Sequence, residues 1–416
     1  MKDEITLWIF QTGEPLHIDK EGQRPMRAVN LANTAIKHGF KVVLWSSAFN
    51  HQNKIHRSKK YKVILQNKQL EIRLIPSRGY SKHIGLGRLI DHMQMAWNLI
   101  KILRTEKTVP NVAFIGYPPI ETAFVMSRWL KNKQVPMLLD VKDLWPSIFI
   151  EAFPNVIRPI AKIVFFPYFY LARYTMRNVS GISSMSRSYI EWCLFFSGKQ
   201  PSSNDIVARL TTANSNIDRQ GLALERKRWK NIGVYDKKDI KRVFFVGTFS
   251  AVFEFDDIID AAKQMPKCQF VLCGHGPCLT EIKSKAGDLS NVVFPGWIDR
   301  FQMESLAEMS LATLAPYKNV ENFTLNIPNK IVDSLLLGLP ILSPLKGEVE
   351  SLIKNNKVGF TYGNNSMLVD CIQSLIDDDK LRKEMSINAK KLYKDEFEFN
   401  KVYDGLVAHL KNMVEK

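Results

Sequence analysis

Asn326-Ile327-Pro328-Asn329-Lys330-Ile331-Val332-Asp333 sets an amide, a proline, a cation and a carboxylate at the head of an apolar run that stops at Gly338-Leu339-Pro340. The pattern predicts a polar loop opening a short helix, which Gly338 ends before the chain passes through Pro340 into a strand. The N–H groups at a helix start, with a lysine beside them, form an anion site of the kind a phosphate fills. Asp333, in the first turn, could accept hydrogen bonds from a neutral polyol such as a ribose. The same residues equally suit an ordinary helix-to-strand connection whose Asp complements the helix dipole, so the local pattern leaves two readings open.

Other groups divide more clearly. Cys268, Cys273, His275 and Cys278 crowd together without the paired C-x-x-C spacing of structural zinc, and Cys268 and Cys273 read as strand residues, so no metal site is expected. Five cysteines, an odd number, follow a Met1-Lys2-Asp3-Glu4 start with neither a basic n-region nor a cleavage site. Reduced thiols in a cytosolic compartment are the expectation. The 58 basic and 41 acidic side chains leave a formal charge of +17, which calls for an anionic partner. No basic low-complexity tail or nucleic-acid motif accompanies it, which points to a phosphorylated ligand or an anionic membrane face.

These residues need a scaffold. A chain of 416 residues, 45% apolar and 24% charged, is long enough for two or three globular domains. Apolar β-rich runs alternate with helical patterns from Ile5 to Ser186, loosen through a Ser-, Asn- and Lys/Arg-rich stretch, and restart at Lys241. The alternation predicts an α/β fold of two Rossmann-like doubly wound domains facing a central cleft, with ligands beyond the carboxyl ends of the strands. The expected boundaries are an amino-terminal domain over 1–196, a linker region over 197–240, a second domain over 241–395 and a closing helix over 396–416. Within the first domain, Ile157 to Met176 is apolar but carries Arg158, Pro159, Lys162, Pro167 and Arg173, and cannot comfortably cross a bilayer. Phe165, Phe166, Tyr168, Phe169 and Tyr170 beside those cations suit either an interfacial segment or a buried helix with a basic outer face.

The order of motifs resembles the family 4 glycosyltransferases, retaining enzymes of the GT-B fold, and within them those that build bacterial O-antigen, capsule or other surface polysaccharide on a lipid carrier. Phe244-Phe245-Val246-Gly247-Thr248-Phe249-Ser250 is similar to the strand and glycine turn that approach the donor diphosphate, and Gly274-His275-Gly276-Pro277 to the "G-x-G-P" turn that helps hold the nucleotide. Asp333 falls on the second acid of the family's E-x7-E motif by its spacing to Gly338 and Pro340. The resemblance implies that Asp333 holds the ribose hydroxyls, and that Pro328, Asn329, Lys330, Gly247, Thr248, Gly274 and Gly276 complete the donor site. Two features depart from the family. No cation follows Gly247 until Lys263, so Lys330 stands in for the usual Arg/Lys pair, and the first acid of the motif is replaced by Leu325, with Glu321 nearby.

In the first domain, Gln11-Thr12-Gly13-Glu14-Pro15 and Arg24-Pro25-Met26-Arg27 occupy the place of the family's loop under the transferred sugar and acceptor. Gly13 would allow close approach; Arg24 and Arg27 either clamp an acceptor diphosphate or are helix-end surface charge. Ser186 matches an acceptor-side serine, His51 reads as a loop histidine, and Asn214-Ser215-Asn216-Ile217-Asp218 resembles the linker "P-N-G-[VI]-D". Lys142-Asp143 sits where the family has His-Asp against the donor sugar, often at its 6-hydroxyl, which suggests a donor lacking that hydroxyl, such as a 6-deoxy amino sugar.

The resemblance implies a hexosyltransferase reaction with retention, by front-face displacement in which the leaving diphosphate helps deprotonate the acceptor hydroxyl. Asp143, Lys142 and Glu14 would position polar groups at the reacting carbon. The donor would be a nucleotide sugar, by family habit UDP-linked, and the acceptor a lipid-linked saccharide. No metal or other cofactor and no nucleic acid is called for, and the chain would work in the cytoplasm, peripheral on the inner face of the cytoplasmic membrane. The rivals are a catalytically silent sugar-nucleotide-binding protein and a GT-B-fold epimerase, the latter needing paired carboxylates and a histidine.

Overall fold

The computed structural model describes residues 4–19, 24–81, 85–151, 153–213, 219–236 and 239–415. The linker motif expected at Asn214–Asp218 lies outside them. Two compact units result, Met1–Ala208 with Asn400–Lys416, and Arg209–Phe399.

The first unit holds strands β1 (Thr6–Phe10), β2 (Lys41–Ser47), the short hairpin β3 (Phe49–Asn50) and β4 (Ile55–His56), then β5 (Lys62–Asn67), β6 (Leu70–Ile75), β7 (Val112–Tyr117), β8 (Met137–Val141), β9 (Gly181–Ser184) and β10 (Ile206–Val207). Its helices are α1 (Arg27–Lys37), α2 (Leu86–Thr105), α3 (Ile120–Asn132), α4 (Ser147–Glu151), α5 (Arg158–Val164), α6 (Phe166–Asn178) and α7 (Arg187–Ser197). One eight-stranded sheet runs β10-β9-β8-β7-β1-β2-β6-β5, with β5 alone antiparallel. β7 and β8 are buried at every residue because helices cover both faces, which is why they read as unbroken apolar runs.

The second unit holds α8 (Arg219–Asn231), β11 (Lys241–Val246), α9 (Asp256–Gln264), β12 (Cys268–Cys273), α10 (Leu279–Ala286), β13 (Val292–Gly296), α11 (Arg300–Glu308), β14 (Ala312–Leu314), α12 (Glu321–Thr324), α13 (Asn329–Leu337), β15 (Ile341–Ser343), α14 (Glu348–Asn356), β16 (Gly359–Thr361), α15 (Asn365–Asp377) and α16 (Asp379–Leu392). Its parallel sheet runs β13-β12-β11-β14-β15-β16. Phe245, Phe270, Leu272, Ile331, Val332 and Leu335, each no more than 0% exposed, show where its core lies, between the sheet and α13.

Several expectations change. The linker region narrows: Ile206–Val207 joins the first sheet beside β9, and α8 belongs to the second unit, where buried Trp229 donates its indole N–H to Gln302 O at 3.2 Å. The last helix, α17 (Phe399–Glu415), falls in the first unit, with Tyr403 hydroxyl accepting from Asn30 at 3.3 Å. The single helix expected across Ile160–Arg177 is two, because Pro167, lacking an N–H, starts α6 rather than continuing α5. Phe165, Tyr168 and Phe169 are half-buried, while Phe166 and Tyr170 are exposed, so the segment has an inward and an outward aromatic face.

Candidate functional site

In each unit the strand order reverses beside one central strand, β1 in the first and β11 in the second. In doubly wound sheets the crevice at that reversal, beyond the carboxyl ends of the strands, is where ligands bind.

In the second unit, Gly247 follows β11 and Gly274 follows β12, and their backbones touch. Gly247 N–H donates to Cys273 O at 2.9 Å, Gly274 N–H to Gly296 O at 2.7 Å, and Phe249 N–H to His275 O at 2.9 Å. A Cβ on Gly274 would stand 1.8 Å from Gly247 O, and its φ of +137° is one that side chains rarely adopt; a Cβ on Gly276 would stand 2.2 Å from Phe249 O. Thr248 and His275 are exposed on these two turns. A Cβ on Gly247 would lie 1.9 Å from Lys330 Nζ, so the glycine leaves the space that the lysine fills.

That lysine is the second residue of α13, whose N-cap, Pro328, supplies no side-chain cap. Its ammonium donates to Val246 O and lies 4.8 Å from the Phe245 ring centre and 5.2 Å from that of Phe253. Burial pushes it down to about 8, against the pull of Asp333. Three residues on, the Asp333 carboxylate accepts the Thr212 hydroxyl at 2.7 Å, and the Thr212 carbonyl accepts from Tyr393 hydroxyl. The helix is pinned to β14 by a relay from Thr313 hydroxyl to Ser334 hydroxyl (2.6 Å) and on to Lys330 O (2.7 Å). Asn329 stays exposed and Pro328 is buried. Glu321 is the exposed first residue of the short α12, and Leu325 follows that helix. A wider cavity of about 610 Å³ opens at the other end of α13, beside Arg300 and Lys390, and contains none of these residues.

In the first unit a cavity of about 170 Å³ sits at the carboxyl ends of β1, β2, β7 and β8, bordered by Gly13, Glu14, Lys142 and Asp143. Glu14 is buried. It accepts from Ala28 N–H at 2.8 Å and Gln11 at 3.1 Å, and is ion-paired with Lys142. Burial pushes its carboxyl up, but the Lys142 ammonium, the Ala28 amide and Arg27 together hold it below its ordinary value. Asp140, also buried, pairs with Arg27 at 3.4 Å and Lys142 at 3.8 Å. Two acids and two bases thus neutralise each other on the cavity floor.

Two of the acceptor-side candidates are held in contacts within the first unit. Arg27 is buried, ion-paired to Asp140 and donating to Ala208 O at 2.7 Å, so it braces the cavity floor. Ser186 is buried as the N-cap of α7, accepting from Tyr189 N–H at 3.2 Å. Arg24 and Gly13 are exposed, and nothing lies within 4 Å of a Cβ built on Gly13.

The sequence reading missed the cavity's other wall. His92 and Arg88 come from α2, at helical spacing with the buried Met95 and Leu99, which was the available signal. Burial, then Arg88 and His51, push His92 down to about 3. Its Nδ1 lies 3.8 Å from Glu121, which accepts from Tyr168 hydroxyl at 3.0 Å and is raised by burial to about 7. Among the described residues no three His, Cys, Asp or Glu side chains are grouped to hold a metal ion.

Residues 227–392 match the family model of the glycosyl transferases group 1. No curated protein matches the chain. Sucrose-phosphate synthase from Thermosynechococcus elongatus superposes with a TM-score of 0.72 at 13% identity, over 99% of this chain and 100% of that one. HepE from Anabaena, solved in complex with UDP, gives 0.64 at 14% identity over 98% and 100%. WaaG, a glycosyltransferase involved in lipopolysaccharide biosynthesis, gives 0.64 at 14% identity over 97% and 99%. The fold is that of the GT-B glycosyltransferases, and residues 227–392 match the group 1 glycosyl transferase family.

Proposed function

We propose that the chain is a retaining transferase of the family 4 type, which moves a sugar from a UDP-linked donor to a lipid-linked saccharide during assembly of bacterial O-antigen or capsule. It would do so in the cytoplasm, at the inner face of the cytoplasmic membrane. The observation that carries this reading is the Lys330 ammonium seated at the Gly247 turn, with Asp333 three residues on along the same helix. That combination supplies charge for a diphosphate and a carboxylate for ribose hydroxyls. Gly247, Thr248, Gly274, Gly276, Pro328 and Asn329 give backbone and surface for the rest of the nucleotide. HepE's complex with UDP supports the choice of base.

In the reaction, the bond from the anomeric carbon to the diphosphate oxygen breaks and a bond to the acceptor oxygen forms on the same face. The acceptor proton passes to the departing diphosphate, whose charge Lys330 and the loop amides offset. Glu14, Lys142 and Asp143 orient the groups on the acceptor side, and no resident metal or cofactor enters this reading. The excess positive charge serves phosphates and an anionic membrane, not nucleic acid. Lys142 is tied to Glu14, a setting that suits a donor without a 6-hydroxyl, such as a 6-deoxy amino sugar; faster turnover of the 6-hydroxy counterpart would exclude that donor.

The test is thermal stabilisation by UDP, GDP, ADP and TDP of the wild type and of Asp333→Ala. A shift with UDP alone, lost in the variant, is the expected result. No shift with any of the four would overturn the donor assignment.

A further inference from the structure

The membrane location proposed above rested on charge and composition, and the structure gives it a surface. Val156, Ile160, Ile163, Val164, Phe166 and Tyr170 are 87%, 63%, 75%, 66%, 64% and 59% exposed. They lie along one short stretch of the first unit, through α5 and into α6. A soluble surface rarely concentrates large apolar side chains in this way without a partner. From residue 152 to 190 the sequence holds no Asp or Glu, but it holds Arg158, Lys162, Arg173, Arg177 and, on α7, Arg187, which pairs with Glu191 at 3.4 Å. This stretch therefore exposes Lys162, Arg173 and Arg177 beside its apolar side chains and no carboxylate among them.

The inward face is fixed. Phe149 packs on Trp145 with ring centres 4.5 Å apart, and on Phe165 at 5.4 Å and Tyr168 at 6.2 Å. Trp145 in turn lies 6.1 Å from His92, which borders the cavity of the first unit. One aromatic row thus joins the exposed helix to the candidate acceptor cavity. Among the described residues no helix is long and apolar enough to cross a membrane, and α5 spans only seven residues.

We propose that the outer face of α5 and the start of α6 docks on an anionic lipid bilayer, with the apolar side chains entering the acyl boundary and the cations meeting headgroup phosphates. The charge pattern selects this occupant. Lysine and arginine can bury their stems at such a boundary and keep their charges at the phosphate level, where each adds to binding. A saccharide carried on a lipid would then meet the cavity without leaving the membrane. The inference deepens the lipid-linked acceptor reading and rests on it.

The full chain is sedimented with vesicles of phosphatidylcholine alone and with about one third phosphatidylglycerol. Wild type should bind the anionic vesicles strongly and the neutral ones weakly. Lys162→Gln should bind anionic vesicles about fivefold more weakly, with neutral binding unchanged. Ile160→Glu/Ile163→Glu/Phe166→Glu should lose binding to both by more than about tenfold. These positions are exposed, so the triple variant should keep its melting temperature and its UDP-induced shift. That readout separates failure of docking from failure of the transferase reading. Wild type left in the supernatant, or the triple variant sedimenting like wild type, would overturn the proposal. So would a concentration-dependent dimer of wild type that the triple variant loses while neither binds vesicles, which would make the surface an interface between copies.

Discussion

Lys330 is a cation kept where its charge is costly, and the cost is legible as a proton affinity. Burial lowers its ammonium to about 8 from an ordinary 10.5. A bound diphosphate would favour the charged form, so binding must draw a proton onto the lysine near that pH. UDP affinity should therefore hold below pH 8 and fall above it, by up to tenfold for each further unit. Lys330→Met should bind about tenfold more weakly at pH 7 and lose the dependence; titration calorimetry in buffers of different ionisation enthalpy reads both effects. Glu121 tests the other half. Its folded value of about 7 lies above its ordinary 4.5, so the folded state holds a proton that the unfolded chain has released. Stability falls as pH rises between those values, by on the order of 3 kcal/mol. Glu121→Gln keeps an acceptor for the Tyr168 hydroxyl and should be clearly more stable than wild type at pH 8 but not at pH 4, as chemical denaturation would show.

The elements that place these residues were mostly readable because their cause is local. Unbroken apolar strands announced two parallel sheets, and Gly247, Gly274 and Gly276 announced turns. The antiparallel strand β5 escaped because it is an exposed edge, with Lys62 and Asn67 at its ends and no buried face to impose a period. The contact of Lys330 with Val246 joins residues 84 apart, and the pairing of Glu14 with Lys142 joins residues 128 apart. No spacing rule reaches that far, so the lysine's role came from resemblance, and the pairing of Arg27 with Asp140 was not legible either. The glycines permit a graded prediction at this scale. Gly274→Ala meets Gly247 O at 1.8 Å under a φ of +137°, whereas Gly287→Ala, at a φ of +53°, meets nothing within 4 Å. The first should cost about 3 kcal/mol or more and the second about 1 kcal/mol. Urea unfolding of the two variants decides it, and equal losses would show that the β11–β12 turns are not tightly packed.

For the whole molecule, each unit closes its own core, so ligand binding can be mapped by where it adds protection. The donor residues proposed here all lie in Arg209–Phe399, and the acceptor-side residues all lie in the other unit. A ligand that binds only the native state stabilises it by about 2.7 kcal/mol at a hundred times its dissociation constant, which slows exchange of amides that open only by global unfolding about a hundredfold. Saturating UDP should therefore slow hydrogen exchange most in β11, β12 and α13, which meet through the backbones of Gly247 and Gly274 and the Lys330 side chain. Amides of β1, β7 and β8 should change much less. Asp333→Ala should remove the effect while leaving exchange in the first unit as it was. Protection spread evenly over both units would mean that the nucleotide is held by residues of the amino-terminal sheet as well. Protection confined to the first unit would reverse the assignment of donor and acceptor halves, and Lys330 would then be a buried cation serving the fold alone.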